Sequence, residues 1–195
     1  MPKRASAPRG PGRLWSAWRM AYIRRAAKPP EAGCLFCRVA ASNADRAHLV
    51  LARRPHALLM LNRYPYNPAH VMVAVRRHVA RFEDLSAAER EEWMALTALA
   101  ERALTAEYHP DGMNLGVNLG RVAGAGFPGH LHQHLVPRWN GDTNFMPTLA
   151  HTRVLPEALG RTWTRLRRAI AELKTGRTRP AVRARTSRRR SRRGR

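Results

Sequence analysis

The sequence predicts an α+β domain with a mainly antiparallel sheet and two principal helices, from three observations. Short apolar runs of strand length are joined by loops and hairpins. One long helical segment with a capping signal separates two groups of these runs, and a second follows the last run. A chain of 195 residues with 44% hydrophobic residues suffices for one such domain with additions.

Short apolar segments with turn residues at their ends predict five strands. Between the second and third strands, Pro65 and Pro68 fix the backbone angle and remove two hydrogen-bond donors, which predicts a loop. A glycine-rich loop precedes the last strand. The five predicted strands are 48–53, 57–61, 71–75, 114–119 and 130–137.

Helical spacing of apolar residues predicts the two helices. Ser86 and Glu89 form a capping box, and the helix that they open extends to about Tyr108. The second helix is predicted from Pro156 to about Leu173. Both helices present one apolar face, so we expect them to pack on the sheet.

The formal charge of +23 is concentrated at the two ends of the chain. Residues 1–30 form a basic extension, 31–173 the folded domain and 174–195 an arginine-rich tail that we expect to be disordered. The domain carries seventeen basic and thirteen acidic side chains, an ordinary balance. The tail would attract phosphate backbones of nucleic acid or anionic membrane surfaces non-specifically. Trp15 and Trp18 predict a short docking segment in the extension, with stacking on nucleic-acid bases as the alternative.

No apolar run approaches the roughly 18 residues that a membrane span requires. The first residues also lack the apolar core and cleavage site of a secretory signal. We therefore expect a cytoplasmic protein with no membrane span.

Three histidines, His130, His132 and His134, alternate along the last predicted strand. Alternate residues of a strand share a face, so we expect one row of imidazoles. An imidazole with a pKa of about 6.5 serves as a nucleophile, an acid or a metal ligand, whereas a solvated strand face is the simpler alternative. Gly126 and Gly129 belong to the preceding loop, whose backbone N–H groups are candidates for holding phosphates.

Cys34 and Cys37 are the two cysteines of the chain and form a Cys-x-x-Cys pair. By itself, this pair is compatible with a disulfide, a redox pair or half of a zinc site. A structural zinc requires four ligands, and a cytosolic context argues against a stable disulfide.

Several motifs in order resemble the histidine-triad (HIT) nucleotide-binding family. They cover roughly residues 13 to 173, and the chain is most similar to the subgroup of bacterial diadenosine tetraphosphate phosphorylases and related HIT hydrolases. The motifs are Leu61–His70, Asn118–Gly120 with the glycine loop, His130–Val136 and Pro137–Pro147.

The resemblance implies an α+β homodimer that cleaves a nucleotide at its α-phosphate. His132 would attack phosphorus to give a nucleotidyl-histidine, with its other N–H held by a main-chain carbonyl on the neighbouring strand near Asn118. His134 would assist the leaving group, Asn118 and loop N–H groups would stabilise the phosphate oxygens, and Asn62 would bind ribose.

The resemblance also implies a structural Zn²⁺ held by Cys34, Cys37, His78 and His130, and no organic cofactor. Without metal, His78 and His130 would hydrogen-bond each other. This assignment gives His130 a different task from the other two triad histidines.

Other residues, inside and outside these motifs, receive simpler interpretations. We expect His70 to serve strand packing. Gln133 occupies a usually apolar position and must find hydrogen-bond partners or solvent. Four further histidines are interpreted as surface or loop residues: His48, His56, His109 and His151.

Three alternatives remain open from the sequence. The arginine-rich flanks are compatible with an aprataxin-like enzyme that removes AMP from nucleic-acid ends. A nucleotide-binding adaptor would use the triad without turnover. A catalytic metal held by all three triad histidines is the third alternative.

Overall fold

The computed structural model describes residues 33–142 and 157–176. Within these ranges the chain forms three helices and a five-stranded antiparallel sheet, which confirms the predicted fold class. The docking segment, most of the arginine-rich tail and His151 lie outside the described residues. The strands are β1 (Val50–Arg53), β2 (Ala57–Leu61), β3 (Val71–Val75), β4 (Gly112–Val117) and β5 (His132–Arg138). The helices are α1 (Leu35–Ala41), α2 (Ala87–Tyr108) and α3 (Leu159–Lys174).

The strand order in the sheet is β1-β2-β3-β5-β4. The chain leaves β3, forms α2, adds β4 at the edge, and then returns with β5 between β3 and β4. The last strand of the sequence therefore lies inside the sheet, where β3 and β4 fix its register on both sides.

Side-chain alternation divides the core into two clusters, one on each face of the sheet. Val71, Val73 and Val75 of β3 pack with α2 and α3. Met72 and Ala74 point to the other face and pack with Phe36 of α1. In the register, Met72 pairs with His134 and Ala74 with His132, so both histidines lie on the α1 face.

The capping box that predicted α2 is present in full. The Ser86 side chain accepts the Glu89 N–H, and the Glu89 carboxylate accepts the Ser86 N–H. The helix ends at Tyr108, as predicted, because the next residue, His109, has a left-handed φ of 46°.

The structure shifts several predicted boundaries and adds one helix. Helix α1 was not predicted, since it has seven residues and Cys34 makes no side-chain cap. Strand β5 begins at His132 rather than His130, because the His130 N–H bonds the Phe127 carbonyl in a turn. Strand β1 begins two residues later than predicted, β4 occupies 112–117 and α3 begins at Leu159. None of the helices in the described ranges is long and apolar enough to cross a membrane.

Candidate functional site

Two thiols and two imidazoles meet where α1 approaches the turn before β5. One donor atom from each of Cys34, Cys37, His78 and His130 lies within 4.8 Å of every other. The Cys34 Sγ is 3.2 Å, and the Cys37 Sγ 3.6 Å, from the His130 Nδ1. The Cys37 Sγ is 3.3 Å from the His78 Nδ1. These four residues are the expected ligand set, and the fold brings them together.

The orientation of the His130 ring suits a metal ligand. Its Nε2–H donates to the Val75 carbonyl at 2.8 Å, which leaves the Nδ1 lone pair facing the two sulfur atoms and His78. The Nδ1 atoms of His130 and His78 are 3.4 Å apart. The donor set, two sulfur and two nitrogen atoms, is one that tetrahedral zinc sites use.

Charge at the cluster is disfavoured by its surroundings. Burial raises the pKa of the Cys37 thiol, and the neighbouring Cys34 raises it further. Burial also lowers the pKa of His130. Both directions favour neutral groups, and a divalent cation would offset this by stabilising the thiolates.

His132 is buried beside the cluster and has a defined tautomer. Its Nδ1–H donates to the main-chain carbonyl of His130 at 2.7 Å, so Nε2 carries the lone pair. The predicted acceptor, a carbonyl near Asn118 on the neighbouring strand, was wrong. Phe36, which stands between the two cysteines in the sequence, packs on His132 with the two ring centroids 4.6 Å apart. Burial lowers the pKa of His132 and keeps the ring neutral.

His134 is the second histidine on this face of β5, and its ring centroid is 5.1 Å from that of His132. Burial and the neighbouring His132 lower the pKa of His134 to about 4. Its Nδ1 lies 3.0 Å from the Nε2 of His70. The two rings approach because His70 immediately precedes β3, the strand that pairs with β5.

The expectation that His70 serves strand packing missed this contact. His70 is 1% exposed, and its Nδ1 also accepts the Tyr66 N–H at 3.1 Å. It is therefore a polar group with hydrogen bonds on both sides of its ring. Nothing next to His70 along the sequence indicates this partner, because the contact depends on the pairing of β3 with β5.

The other predicted nucleotide-binding residues lie in two loops. Asn62 caps the turn after β2, where its Oδ1 accepts the Tyr64 N–H at 2.9 Å, and its Nδ2 is 3.4 Å from the His70 Nδ1. Asn118 follows β4, with its Nδ2 3.7 Å from the position that a Cβ of Gly124 would take. Ribose and phosphate binding by these residues stay predictions.

The glycine-rich loop bends at glycines other than the two chosen from the sequence. Gly120 and Gly124 have left-handed φ of 80° and 96°, a conformation that favours glycine. Gly129 lies beside the cysteine–histidine cluster, where a Cβ would be 3.4 Å from the His78 Nε2. Whether Gly126 and Gly129 hold phosphate stays a prediction.

Gln133 points to the opposite face of β5 and finds partners in α2. Its Oε1 accepts the Trp93 Nε1–H at 2.6 Å, and the Thr97 hydroxyl lies 2.8 Å from the same oxygen. The expectation that this unusual residue needs hydrogen-bond partners is confirmed. Of the remaining histidines, His56 and His109 are exposed and His48 is partly exposed.

The site combines a neutral imidazole with a free nitrogen lone pair, a second neutral imidazole beside it, and a cysteine–histidine cluster behind both. Such an arrangement suits attack by His132 on an electrophile that lies on the α1 face of β5. The cysteine–histidine cluster lies outside the row formed by His132 and His134.

Comparisons with known proteins give one consistent family. A sequence profile described as "HIT domain" matches residues 44–141. The AP-4-A phosphorylase of Mycobacterium tuberculosis is 39% identical over 153 residues, which cover 75% of this chain and 78% of that protein. The Arabidopsis thaliana bifunctional bis(5'-adenosyl)-triphosphatase/adenylylsulfatase FHIT is 36% identical over 89 residues, 45% of this chain and 48% of that protein.

Solved structures share the fold. A zinc-bound histidine triad family protein from Mycobacterium smegmatis has a TM-score of 0.60 at 24% identity and covers 74% of this chain and 97% of its own. A hypothetical histidine triad nucleotide-binding protein from Sulfolobus tokodaii has a TM-score of 0.58 at 23% identity. The match covers 72% of this chain and 94% of that protein.

Proposed function

Because the chain belongs to the HIT family and is an enzyme of that family, we propose that it cleaves dinucleoside polyphosphates at an α-phosphate through a nucleotidyl intermediate on His132. One observation carries the proposal: the His132 Nδ1–H donates to the His130 carbonyl at 2.7 Å. This bond leaves the Nε2 lone pair available for attack on phosphorus.

The first step forms a bond between His132 Nε2 and the α-phosphorus. The bond from phosphorus to the bridging oxygen breaks, and its electron pair leaves with the remaining nucleotide as an anion. The His132 ring becomes positively charged while its Nδ1–H keeps the bond to the His130 carbonyl. This carbonyl therefore stabilises the charge that develops on the ring.

The second step releases the nucleotide. An oxygen of water or of inorganic phosphate attacks the same phosphorus, and the electron pair of the nitrogen–phosphorus bond returns to His132 Nε2. With water, the extra proton passes to solvent; with phosphate, the product is a nucleoside diphosphate. The 39% identical relative is named a phosphorylase, which supports phosphate as the acceptor.

Neighbouring residues would bind the substrate. We assign His134 to the leaving group because its ring lies 5.1 Å from that of His132 on the same face. Asn118 and the N–H groups of the glycine loop would hold the phosphate oxygens, and Asn62 would bind ribose. The M. tuberculosis relative supports a dinucleoside tetraphosphate such as diadenosine tetraphosphate as substrate.

Zinc is the metal that we propose for Cys34, Cys37, His78 and His130. The two thiols, the unprotonated Nδ1 of His130 and the separations within 4.8 Å support it. Four protein ligands leave no open position, so the ion would serve as a structural link between α1 and the turn before β5. In this role the cluster fixes the carbonyl that orients His132.

A homodimer is also part of the proposal. Strand β4 is at the edge of the sheet among the residues that the structure describes, and Leu115 on this strand is 47% exposed. An edge strand with exposed apolar residues favours pairing with a second copy.

The mechanism is tested by rapidly quenching the enzyme with diadenosine tetraphosphate and measuring the mass of the protein. We expect wild type and His56→Asn to carry one AMP on His132, and His132→Asn to carry none and lose at least about 10⁴-fold in kcat. Turnover by wild type without the adduct would contradict the covalent mechanism. Nucleoside diphosphate formed only with added phosphate would identify a phosphorylase.

A further inference from the structure

His70 lies between the loop after β2 and the triad strand, with one ring nitrogen bonded to each. Its Nδ1 is 3.1 Å from the backbone nitrogen of Tyr66, and its Nε2 is 3.0 Å from the Nδ1 of His134. His70 is 1% exposed, so both contacts are shielded from solvent. The chain of bonds therefore reaches from a main-chain amide to a triad histidine.

The Tyr66 amide, at one end of this series of hydrogen bonds, determines where each proton lies. A backbone N–H can only donate, so the Nδ1 of His70 must accept and cannot carry a proton. The proton of a neutral His70 is therefore on Nε2, which donates to the Nδ1 of His134. His134 accepts at Nδ1, and its own proton is on Nε2.

We propose that His70 is a positioning residue that holds His134 as the neutral Nε2–H tautomer, so that His134 stabilises the leaving oxygen by hydrogen bonding. The leaving-group role of His134 rests on the proposed function, whereas the tautomer rests only on the contacts of His70. An imidazolium at His134 would place an N–H against the Nε2–H of His70, so the same contact opposes protonation.

The two catalytic histidines then have opposite tautomers, two residues apart on one strand. A carbonyl accepts the hydrogen bond from the Nδ1–H of His132, so Nε2 has the lone pair. A donor at Nδ1 of His134 leaves Nε2 with a proton. One ring supplies electrons to phosphorus and the other supplies an N–H, although the residues are chemically identical.

This tautomer determines whether His134 assists the leaving group by hydrogen bonding or by proton transfer. A neutral imidazole N–H is a very weak acid, so His134 donates a hydrogen bond and keeps its proton. The bridging oxygen leaves with the electron pair of its bond to phosphorus, and its negative charge accepts the bond from Nε2–H. Assistance is then greatest for leaving groups that carry the most charge on that oxygen.

The loop that supplies the amide is hydrogen-bonded to β5. The Asn67 side chain donates to the Pro137 carbonyl at 2.9 Å, on the same strand as His134. The Tyr66 ring packs 4.7 Å from the His70 ring and 6.0 Å from the His134 ring. The Asn62 Nδ2 lies 3.4 Å from the same nitrogen of His70 and adds a second donor there.

Nitrogen NMR of isotopically labelled wild-type protein tests the tautomers directly, because protonated and unprotonated ring nitrogens have well-separated shifts. At pH 7 we expect His70 and His134 to carry the proton on Nε2 and His132 to carry it on Nδ1. A proton on the Nδ1 of His134, or an imidazolium there, would overturn the proposal. This spectrum requires no variant and no turnover, so it decides the tautomer even when the proposed function fails.

A leaving-group series tests the consequence. The substrates are aryl esters of AMP whose phenols differ in acidity, and the enzymes are wild type, His70→Gln, His70→Leu and the control His56→Gln. We expect His70→Leu to lose roughly 10²-fold in kcat/KM with the least acidic phenol and under about threefold with the most acidic. His70→Gln keeps an acceptor and a donor, so we expect it to recover most of the loss.

The pattern across the series separates positioning from simple structural damage. A misfolded or loosened site loses activity equally for every phenol, and this result would overturn the proposal. Equal activity of His70→Leu and wild type across the whole series would overturn it as well. The spectrum of His70→Leu should show His134 as a mixture of tautomers while His132 keeps its proton on Nδ1.

Discussion

The carbonyl oxygen of His130 accepts the Nδ1–H of His132 at 2.7 Å. The ring of the same His130 has its Nε2–H bonded to Val75 and its Nδ1 directed at Cys34 and Cys37. One residue therefore belongs to the cysteine–histidine cluster through its side chain and contacts His132 through its backbone carbonyl. Any change that moves the His130 ring is expected to move the acceptor that orients His132.

Removal of one cluster imidazole should remove the metal. His78 and His56 are both exposed histidines, but only His78 is in the cluster. We expect His78→Asn to lose bound zinc, measured by plasma emission after dialysis. Its free energy of unfolding should fall by about 2–3 kcal/mol at zinc concentrations near 100 times the dissociation constant of wild type. His56→Asn should retain zinc and stability, and a stoichiometric zinc content in both variants would contradict the assigned site.

A charge on the edge strand should separate the proposed dimer. Leu115 of β4 is 47% exposed, and Met94 of α2 is 63% exposed on a different element. We expect Leu115→Glu to sediment as a monomer in analytical ultracentrifugation, because two copies would bring like charges together in a β4 interface. Met94→Glu is the matched control and should remain dimeric. A monomeric wild type, or a dimer that Leu115→Glu leaves intact, would rule out this interface.

The polar contact between β5 and α2 should be important for stability. Gln133 accepts the Trp93 Nε1–H at 2.6 Å, and Trp93 is buried. We expect Gln133→Leu to reduce the free energy of unfolding by about 1–3 kcal/mol in urea titrations, because the indole N–H loses its acceptor. The double variant Gln133→Leu with Trp93→Phe should be more stable than the additive expectation, since it removes both partners. Strict additivity would argue against the contact.

The capping box should make stability depend on acid pH. The Arg77 guanidinium, which donates to the Glu89 carboxylate, and the Ser86 N–H together lower the Glu89 pKa to about 2, against the opposing effect of burial. The unfolded value is about 4.3, so the stabilisation is complete above that pH and is lost as the pH falls towards 2. We expect Glu89→Gln to cost roughly 2–3 kcal/mol at pH 7 and much less near pH 2, measured by urea unfolding.

Glu91 provides the control for this prediction, because it lies on the same helix and is exposed. Glu91→Gln should change stability by less than about 0.5 kcal/mol at either pH. If Glu89→Gln has the same stability deficit at pH 7 and pH 2, its contribution does not depend on the carboxylate charge.

Local sequence patterns predicted the helices and strands whose ends have a capping box or turn residues. Ser86 and Glu89 mark the start of α2 because a capping box is complete within four residues. Short apolar runs and turn residues located the five strands to within two residues at every end. Helix α1 was not predicted because it has only seven residues and no side-chain cap. It is stabilised mainly by packing of Phe36 and Val39 on the sheet.

The site was also predicted only in part, because some of its contacts join residues that are far apart in the sequence. The resemblance to the HIT family assigned Cys34, Cys37, His78 and His130 to one cluster, and the structure brings these residues together. His70 was assigned to packing, because nothing in its neighbourhood along the chain indicates a partner 64 residues away. The pairing of β3 with β5 creates that contact, and pairing between distant strands is a property of the whole sheet.

The sequence by itself determined which side chains are present and their order: two thiols, a row of histidines and the strand that carries it. Only the tertiary structure decided which nitrogen of each imidazole holds a proton. That assignment depends on the Val75 carbonyl for His130, the His130 carbonyl for His132 and the Tyr66 amide, through His70, for His134. A ring nitrogen donates or accepts according to the atom opposite it, and folding places those atoms.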